Sequence, residues 1–223
     1  MTSYGQFCPV AKAMEILDER WTLLIVREML LGSRHYNDLR RGVPKMSPAL
    51  LSKRLRSLER VGVVRRDAVG GRTSYTLTAA GEELRPLVES LSSWGMRWIA
   101  DLGDEDLDPH LLMWDMQRTI PLAEWPRQRT TLAVRLIDGA GKATHWWIVA
   151  SGDRIEICDF DPGYEVAATV SGELRTMVRV WRGEVSWQTA LAVGDLTITG
   201  PADVRLDVPR WLGTSVFAVA VAV

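Results

Sequence analysis

Lys53 and Arg56, with Ala49 one turn before them and Arg60 one turn after, fall on one side of a helical wheel drawn at about 100° per residue. Leu51, Leu55, Leu58 and Gly62 fall on the other side, and Ser52 and Ser57 flank the basic one. Such a helix buries its leucines and presents cations among small side chains, which allow close approach to another surface. A lysine or arginine placed this way can pair with phosphate oxygens or donate to a guanine edge in a major groove. More cations surround it. Arg34, Arg40, Arg41 and Lys45 precede the helix, Arg65 and Arg66 follow it, and Arg72, next to Thr73, closes a glycine turn, Val69-Gly-Gly-Arg72. Residues 34–72 carry 11 Lys and Arg against 3 Asp and Glu, a net +8. A solvated basic face would account for the helix alone; the whole ordered set points to a polyanion.

The elements that must hold these side chains are legible. Ser47-Pro48 opens the basic helix, because serine is a good N-cap and proline at the first helical position loses no needed donor. Helices are expected upstream over Cys8–Leu17, with Pro9 at the first position, over Trp21–Leu31, stopped by Gly32, and over Tyr36–Gly42. Downstream, Val63–Ala68 and Thr73–Leu77 read as a two-stranded ribbon. Thr78 then caps a long helix from Ala79 to about Ala100, with Leu84, Leu87, Val88, Leu91, Trp94 and Trp98 as its apolar stripe. Helices, a turn, a basic helix and a ribbon outline a winged helix-turn-helix. Its expected contacts with double-stranded DNA come from Arg34, Lys45, Ser47, Ala49, Ser52, Lys53, Arg56, Arg72 and Thr73.

Several motifs occur in order: Cys8-Pro-Val, Ile16-Leu17, Arg20-Trp-Thr-Leu-Leu-Ile-Val-Arg-Glu-Met-Leu-Leu-Gly32, Tyr36-Asn-Asp-Leu39, Ser47-Pro-Ala-Leu-Leu-Ser-Lys-Arg-Leu-Arg-Ser-Leu-Glu59 and Tyr75-Thr-Leu-Thr-Ala-Ala-Gly81. Together they resemble the HxlR family of bacterial winged-helix regulators over residues 7–101. The resemblance implies a homodimer on a palindromic operator, with the first and last helices of the module forming the dimer contact. Members of that family often have a longer, proline-containing wing than Val69-Gly-Gly-Arg72. Cys8 matches the family's N-terminal cysteine, which in some members senses oxidants or electrophiles. That gives an alternative reading, a redox-sensing regulator in which the C-terminal domain serves only dimerisation or protein contact. Packing near a dimer contact explains the same cysteine, and Lys12, one turn on, is the basic residue nearest to it in sequence.

The charge changes sign along the chain. Residues 1–100 hold 16 Lys and Arg against 10 Asp and Glu, a net +6, whereas residues 101–223 hold 11 against 18, a net −7. The break falls at Asp101-Leu-Gly-Asp-Glu-Asp-Leu-Asp-Pro109, so 108–223 reads as a second domain. There, a helix over Pro109–Arg118 capped by Asp108 precedes strands at Leu132–Ile137, His145–Ala150, Ile155–Cys158 and Val166–Val170. Helices at Ser171–Val180 and Ser186–Val193 and a strand at Leu196–Thr199 follow, and Val216–Val223 reads as a buried strand or a partner contact. Seven tryptophans lie in residues 110–223. Most should be core, but rings of this size can also wall an apolar pocket, and Trp146 and Trp147 on one strand point to opposite faces.

This order of elements, with Ala190-Leu-Ala-Val-Gly-Asp195 before Leu196-Thr-Ile-Thr-Gly200, resembles the sterol carrier protein-2 (SCP2-like) fold. Gly200-Pro201 stands where that family has Gly-Asp. The resemblance implies a lipid-sized tunnel, and Trp114, Trp146, Trp147, Trp181 and Trp187 are its candidate lining. A dimerisation or protein-contact domain is the competing reading.

Catalytic chemistry finds little support. His35, His110 and His145 stand apart, and no nucleophile elbow, phosphate loop or dinucleotide fingerprint occurs. Asp159 and Asp161, followed by Pro162-Gly163, read as turn residues rather than a metal or acid pair. The longest apolar run, Val216–Val223, is too short to cross a bilayer, and the N-terminus carries no secretory pattern. Two distant cysteines suit a reducing cytoplasm. The expectation is an α+β chain: a winged helix-turn-helix followed by a small SCP2-like domain. It acts as a cytoplasmic, dimeric, DNA-binding regulator without cofactor or metal, modulated by a lipid-like apolar ligand.

Overall fold

Proline opens two helices of the basic half at the position where its missing N–H costs nothing. In the computed structural model of the chain, which describes residues 3–69, 71–99 and 101–218, these are α1 (Pro9–Leu17) and α4 (Pro48–Arg60), with α2 (Thr22–Leu30) and α3 (Tyr36–Gly42) between them. Antiparallel strands β1 (Val64–Val69) and β2 (Arg72–Leu77) form the wing, in register from Val64 opposite Leu77 to Val69 opposite Arg72. These elements belong to the first of two units, Met1–Ser92 and Ser93–Val223. Ile25, Val26, Leu39, Leu51, Leu55, Leu58 and Val64 are buried in the first unit and join α2, α3 and α4 to the wing.

The long helix expected after Thr78 is broken. Thr78 does cap it, its hydroxyl accepting from Gly81 N at 3.3 Å. The helix then divides into α5 (Ala79–Glu82) and α6 (Arg85–Trp98). Pro86 is the reason: it has no N–H to give the Glu82 carbonyl, and its ring crowds that carbonyl. The apolar stripe also differs from a core face. Val88 is buried, while Leu87, Leu91, Trp94 and Trp98 are exposed. Ala100 and residues 219–223, at the end of the expected C-terminal strand, lie outside the described residues.

In the second unit, Asp108 caps α7 (Pro109–Thr119) by accepting from His110 N at 2.9 Å and Leu111 N at 3.2 Å. Strands β3 (Thr130–Ile137), β4 (Ala143–Ser151), β5 (Arg154–Cys158), β6 (Ala168–Glu173) and β7 (Leu196–Thr199) form one sheet in the order β5-β4-β3-β6-β7. Strand β3 is parallel to β6; the other pairs are antiparallel. Helices α8 (Leu174–Trp181) and α9 (Trp187–Val193) connect β6 to β7, and α10 (Ala202–Leu212) follows Pro201. Alternate sheet residues, including Leu132, Val134, Trp146, Ile148 and Val170, share one core with Met116 of α7, Met177 of α8, Ala190 of α9 and Val208 of α10. The helix expected over Ser171–Val180 starts three residues late. Ser171 and Gly172 instead pair with Thr197 and Leu196, a ladder whose other half is remote in sequence.

Candidate nucleic-acid interface

Helix α4 has the two faces its sequence calls for. Leu51, Leu55 and Leu58 are buried, and Ala49, Lys53, Arg56 and Arg60 are exposed. The Ser47 hydroxyl accepts from Leu50 N at 3.3 Å as the N-cap, which leaves its proton available to an acceptor outside the helix. Ser52 is half-buried and reaches back to the Tyr36 hydroxyl at 3.5 Å. Tyr36 in turn donates to the Pro48 carbonyl at 2.8 Å, tying α3 to the first turn of α4. Lys45 is exposed in the turn between those helices.

The wing is sewn to the start of α3. Tyr75 N donates to the Arg34 carbonyl at 2.7 Å, and His35 Nδ1 lies 3.2 Å from the Thr73 carbonyl. The fold thereby brings Arg34 beside Tyr75 and His35 beside Thr73, with Arg72 exposed at the start of β2. Of the nine expected contact residues, seven are exposed: Arg34 ahead of α3, Lys45 and Ser47 in the turn before α4, Ala49, Lys53 and Arg56 on α4, and Arg72 on the wing. Ser52 and Thr73 are turned partly inward.

One cation of the basic stretch does different work. Arg54 is buried; its guanidinium pairs with Glu19, and its Nε donates to the Arg20 carbonyl at 3.2 Å. It therefore holds α4 against the turn entering α2. In that turn Trp21 has φ +80°, a left-handed conformation that costs a bulky residue on the order of 1 kcal/mol. The Arg20 guanidinium lies 5.2 Å from the Trp21 ring. Glu28, also buried, takes Arg27 at 2.8 Å, while Arg27 donates to the Gly42 carbonyl at 3.0 Å. A Cβ on Gly42 would lie 1.8 Å from the Glu28 carboxyl, so a side chain there would have to displace that buried carboxyl. Neither Arg54 nor Glu28 stands out in the sequence, because a buried arginine at helical spacing reads as one more surface cation.

Cys8 is half-buried at the N-cap of α1. The Lys12 ammonium is engaged by Glu15 at 2.9 Å, and that hydrogen bond holds the Glu15 carboxyl below its usual range. In the second unit burial pushes the Cys158 thiol up, and Glu156 and Asp159 add to the effect. Asp161 accepts from Gly163 N at 2.8 Å, as a turn residue does. Among the described residues no group of histidine, cysteine or carboxylate side chains could hold a metal ion.

The five candidate pocket tryptophans do not form one wall. Trp146 and Trp181 are in the core, and Trp187 packs against it. Trp147 is half-buried on the opposite sheet face, and Trp114 lies under the Arg118 guanidinium at 4.8 Å. Trp181 Nε1 donates to Asp115 at 2.7 Å, Trp125 Nε1 to the Trp211 carbonyl at 2.7 Å and Trp187 Nε1 to the Gly213 carbonyl at 3.4 Å. Trp146 Nε1 is buried without an acceptor, and the His110 ring stands edge-on to the indole at 4.8 Å.

Residues 16–102 match the HxlR-like helix-turn-helix family. The HTH-type transcriptional regulator YvaP of Bacillus subtilis (strain 168) is 39% identical over 99 residues, which are 43% of this chain and 92% of YvaP. The HTH-type transcriptional regulator sll1512 of Synechocystis sp. is 34% identical over 98 residues, 43% of this chain and 73% of its own length. Among solved structures, the reduced form of the transcriptional regulator YodB from B. subtilis is 26% identical, with a TM-score of 0.37 over 42% of this chain and 95% of YodB. With its helix-turn-helix and wing in place and YvaP matched over nearly all its length, the chain belongs to the HxlR-like helix-turn-helix family.

Proposed function

We propose that the chain is a DNA-binding transcriptional regulator rather than an enzyme, acting as a homodimer on a palindromic operator through α4 and the wing. One observation carries this reading: α4 buries Leu51, Leu55 and Leu58 and turns Ala49, Lys53 and Arg56 outward, beside a wing fastened to Arg34. Apolar exposure supports the dimer, since Phe7 and Val10 at α1 and Leu87, Leu91 and Trp94 on α6 all face solvent in the single chain. Such a regulator works in the cytoplasm, on the chromosome. Among the described residues no helix is long and apolar enough to cross a membrane.

Selection of bound duplexes from a random library by the full-length protein tests the reading and supplies the operator. Lys53→Ala and Arg56→Ala are each expected to weaken operator binding by about 1–3 kcal/mol and relax the base preference at one position per half-site. Arg72→Ala should weaken all sequences alike, as loss of a phosphate contact does. Unchanged affinity in both α4 variants would show that another surface binds the DNA.

Residues 108–223 are the second part of the proposal: an SCP2-like domain that binds a lipid-like apolar ligand and alters DNA affinity. The order of four strands, two helices, strand and helix supports it, and so does the orphaned Trp146 N–H. A buried donor without an acceptor costs about 1–3 kcal/mol, which a ligand oxygen or a water molecule recovers. Dodecanoate titrated into the full-length protein should change tryptophan emission, and repeating the titration with operator present measures the coupling. A tenfold shift in operator affinity requires about 1.4 kcal/mol, and DNA must then shift dodecanoate affinity by the same factor. If neither dodecanoate nor a sterol changes emission or DNA affinity, the domain is a dimerisation or protein-contact module.

A further inference from the structure

We propose that His35 is a contact to the DNA phosphate backbone that strengthens when its ring takes up a proton. The inference rests on the DNA-binding reading above. The Thr73 carbonyl can only accept, so the Nδ1 that lies 3.2 Å from it carries the hydrogen. In the neutral ring Nε2 is then a bare acceptor. It lies across the ring from the Thr73 carbonyl, on a side chain that is exposed. A neutral His35 therefore offers phosphate a lone pair, whereas a protonated one offers a charged N–H from a ring the wing already holds in place.

The surroundings favour an anion. Arg34 precedes His35, and Arg72 adjoins Thr73 on β2; both are exposed. Arg66 lies opposite Tyr75, the residue whose N–H binds the Arg34 carbonyl. Two carboxylates are near in the fold. Asp38 lies in the first turn of α3, and Asp67, opposite Ser74, is engaged by Arg65 at 3.0 Å. His35 is the sole histidine among residues 1–92, so imidazole titration within that unit has one source. Linkage sets the sign: if DNA binds the protonated ring better, binding takes up a proton, and affinity rises as pH falls.

Fluorescence anisotropy of the full-length protein on a mixed-sequence 40-base-pair duplex, at constant low salt and at pH 8 and pH 6, tests this. The wild type should bind about fivefold more tightly per protomer at pH 6. His35→Asn keeps an N–H for the Thr73 carbonyl and removes the titrating nitrogen; its affinity should stay near the wild type's pH 8 value at both pH values. His35→Arg should bind tightly at both. Wild-type binding whose pH dependence survives in His35→Asn would overturn the assignment of His35 while leaving DNA binding intact. No binding by the wild type at either pH would instead overturn the DNA-binding reading, and the inference with it.

Discussion

Raising the salt concentration from 50 to 200 mM is expected to weaken DNA binding by about 10³-fold or more. Each phosphate neutralised by a lysine or arginine releases condensed counterions, and log affinity then falls with log salt at a slope of about −0.9 per phosphate. Arg34, Lys45, Lys53, Arg56 and Arg72 all present exposed side chains. About three to five of them per protomer give 6–10 contacts per dimer, the range in which a loss of 10³ to 10⁵ is expected. Anisotropy titrations on the selected operator at four salt concentrations would read the slope. Arg54 supplies an internal control. Its guanidinium is already committed to Glu19 and the Arg20 carbonyl, so Arg54→Met should leave the slope unchanged while loosening the seat of α4. Removing Arg72 should flatten the slope by about one contact per protomer. Binding that is flat across salt would contradict an interface built on these side chains.

Gly172→Ala should destabilise the second unit by about 2–4 kcal/mol, in the range of overpacked sites that cannot relax. A Cβ at Gly172 would lie 2.1 Å from the Asp195 carbonyl oxygen, 2.7 Å from Leu196 Cδ2 and 3.0 Å from Leu196 Cα. Two of those three atoms are backbone, and Gly172 is the register partner of Leu196 on β7, so the strands cannot separate without breaking their ladder. The residue also has φ +157°, at the edge of the range that side chains avoid. The Asp195 carbonyl accepts from Glu173 N at 3.2 Å, so a shift of β7 would strain that bond too. A thermal melt followed by tryptophan emission should show a loss of roughly 10 °C. The winged-helix unit, whose core shares no residue with this site, should keep its DNA affinity. A variant melting with the wild type would mean that the β6–β7 pair is not closed in this register.

The apolar spacing of α4 and its Ser47-Pro48 start were enough to place the exposed cations of that helix, and the glycine turn to place the wing, because each is a short-range signal. Helix ends set by one residue were legible for the same reason, as at Asp108. Pro86 was equally local, and its effect on the helix after Thr78 follows from a single missing N–H; the apolar stripe running through it concealed the break.

What the residues determined by themselves is the basic module, its helical faces and its division from an acidic, strand-rich half, since periodicity, capping and charge act within a few residues of one another. Tertiary structure alone decided which cations of the basic stretch are exposed and which are buried. Arg54 and Arg56 are two positions apart on one helix, yet one is held by Glu19 and the Arg20 carbonyl while the other is exposed. It also decided that His35 meets Thr73, that residues 171–173 are strand rather than helix, and that Trp146 keeps an unpaired N–H in a core where other indoles find acceptors. Each of these outcomes depends on a partner remote in sequence. Burial and hydrogen bonding between distant segments form only when the chain is packed, so no local pattern carries them.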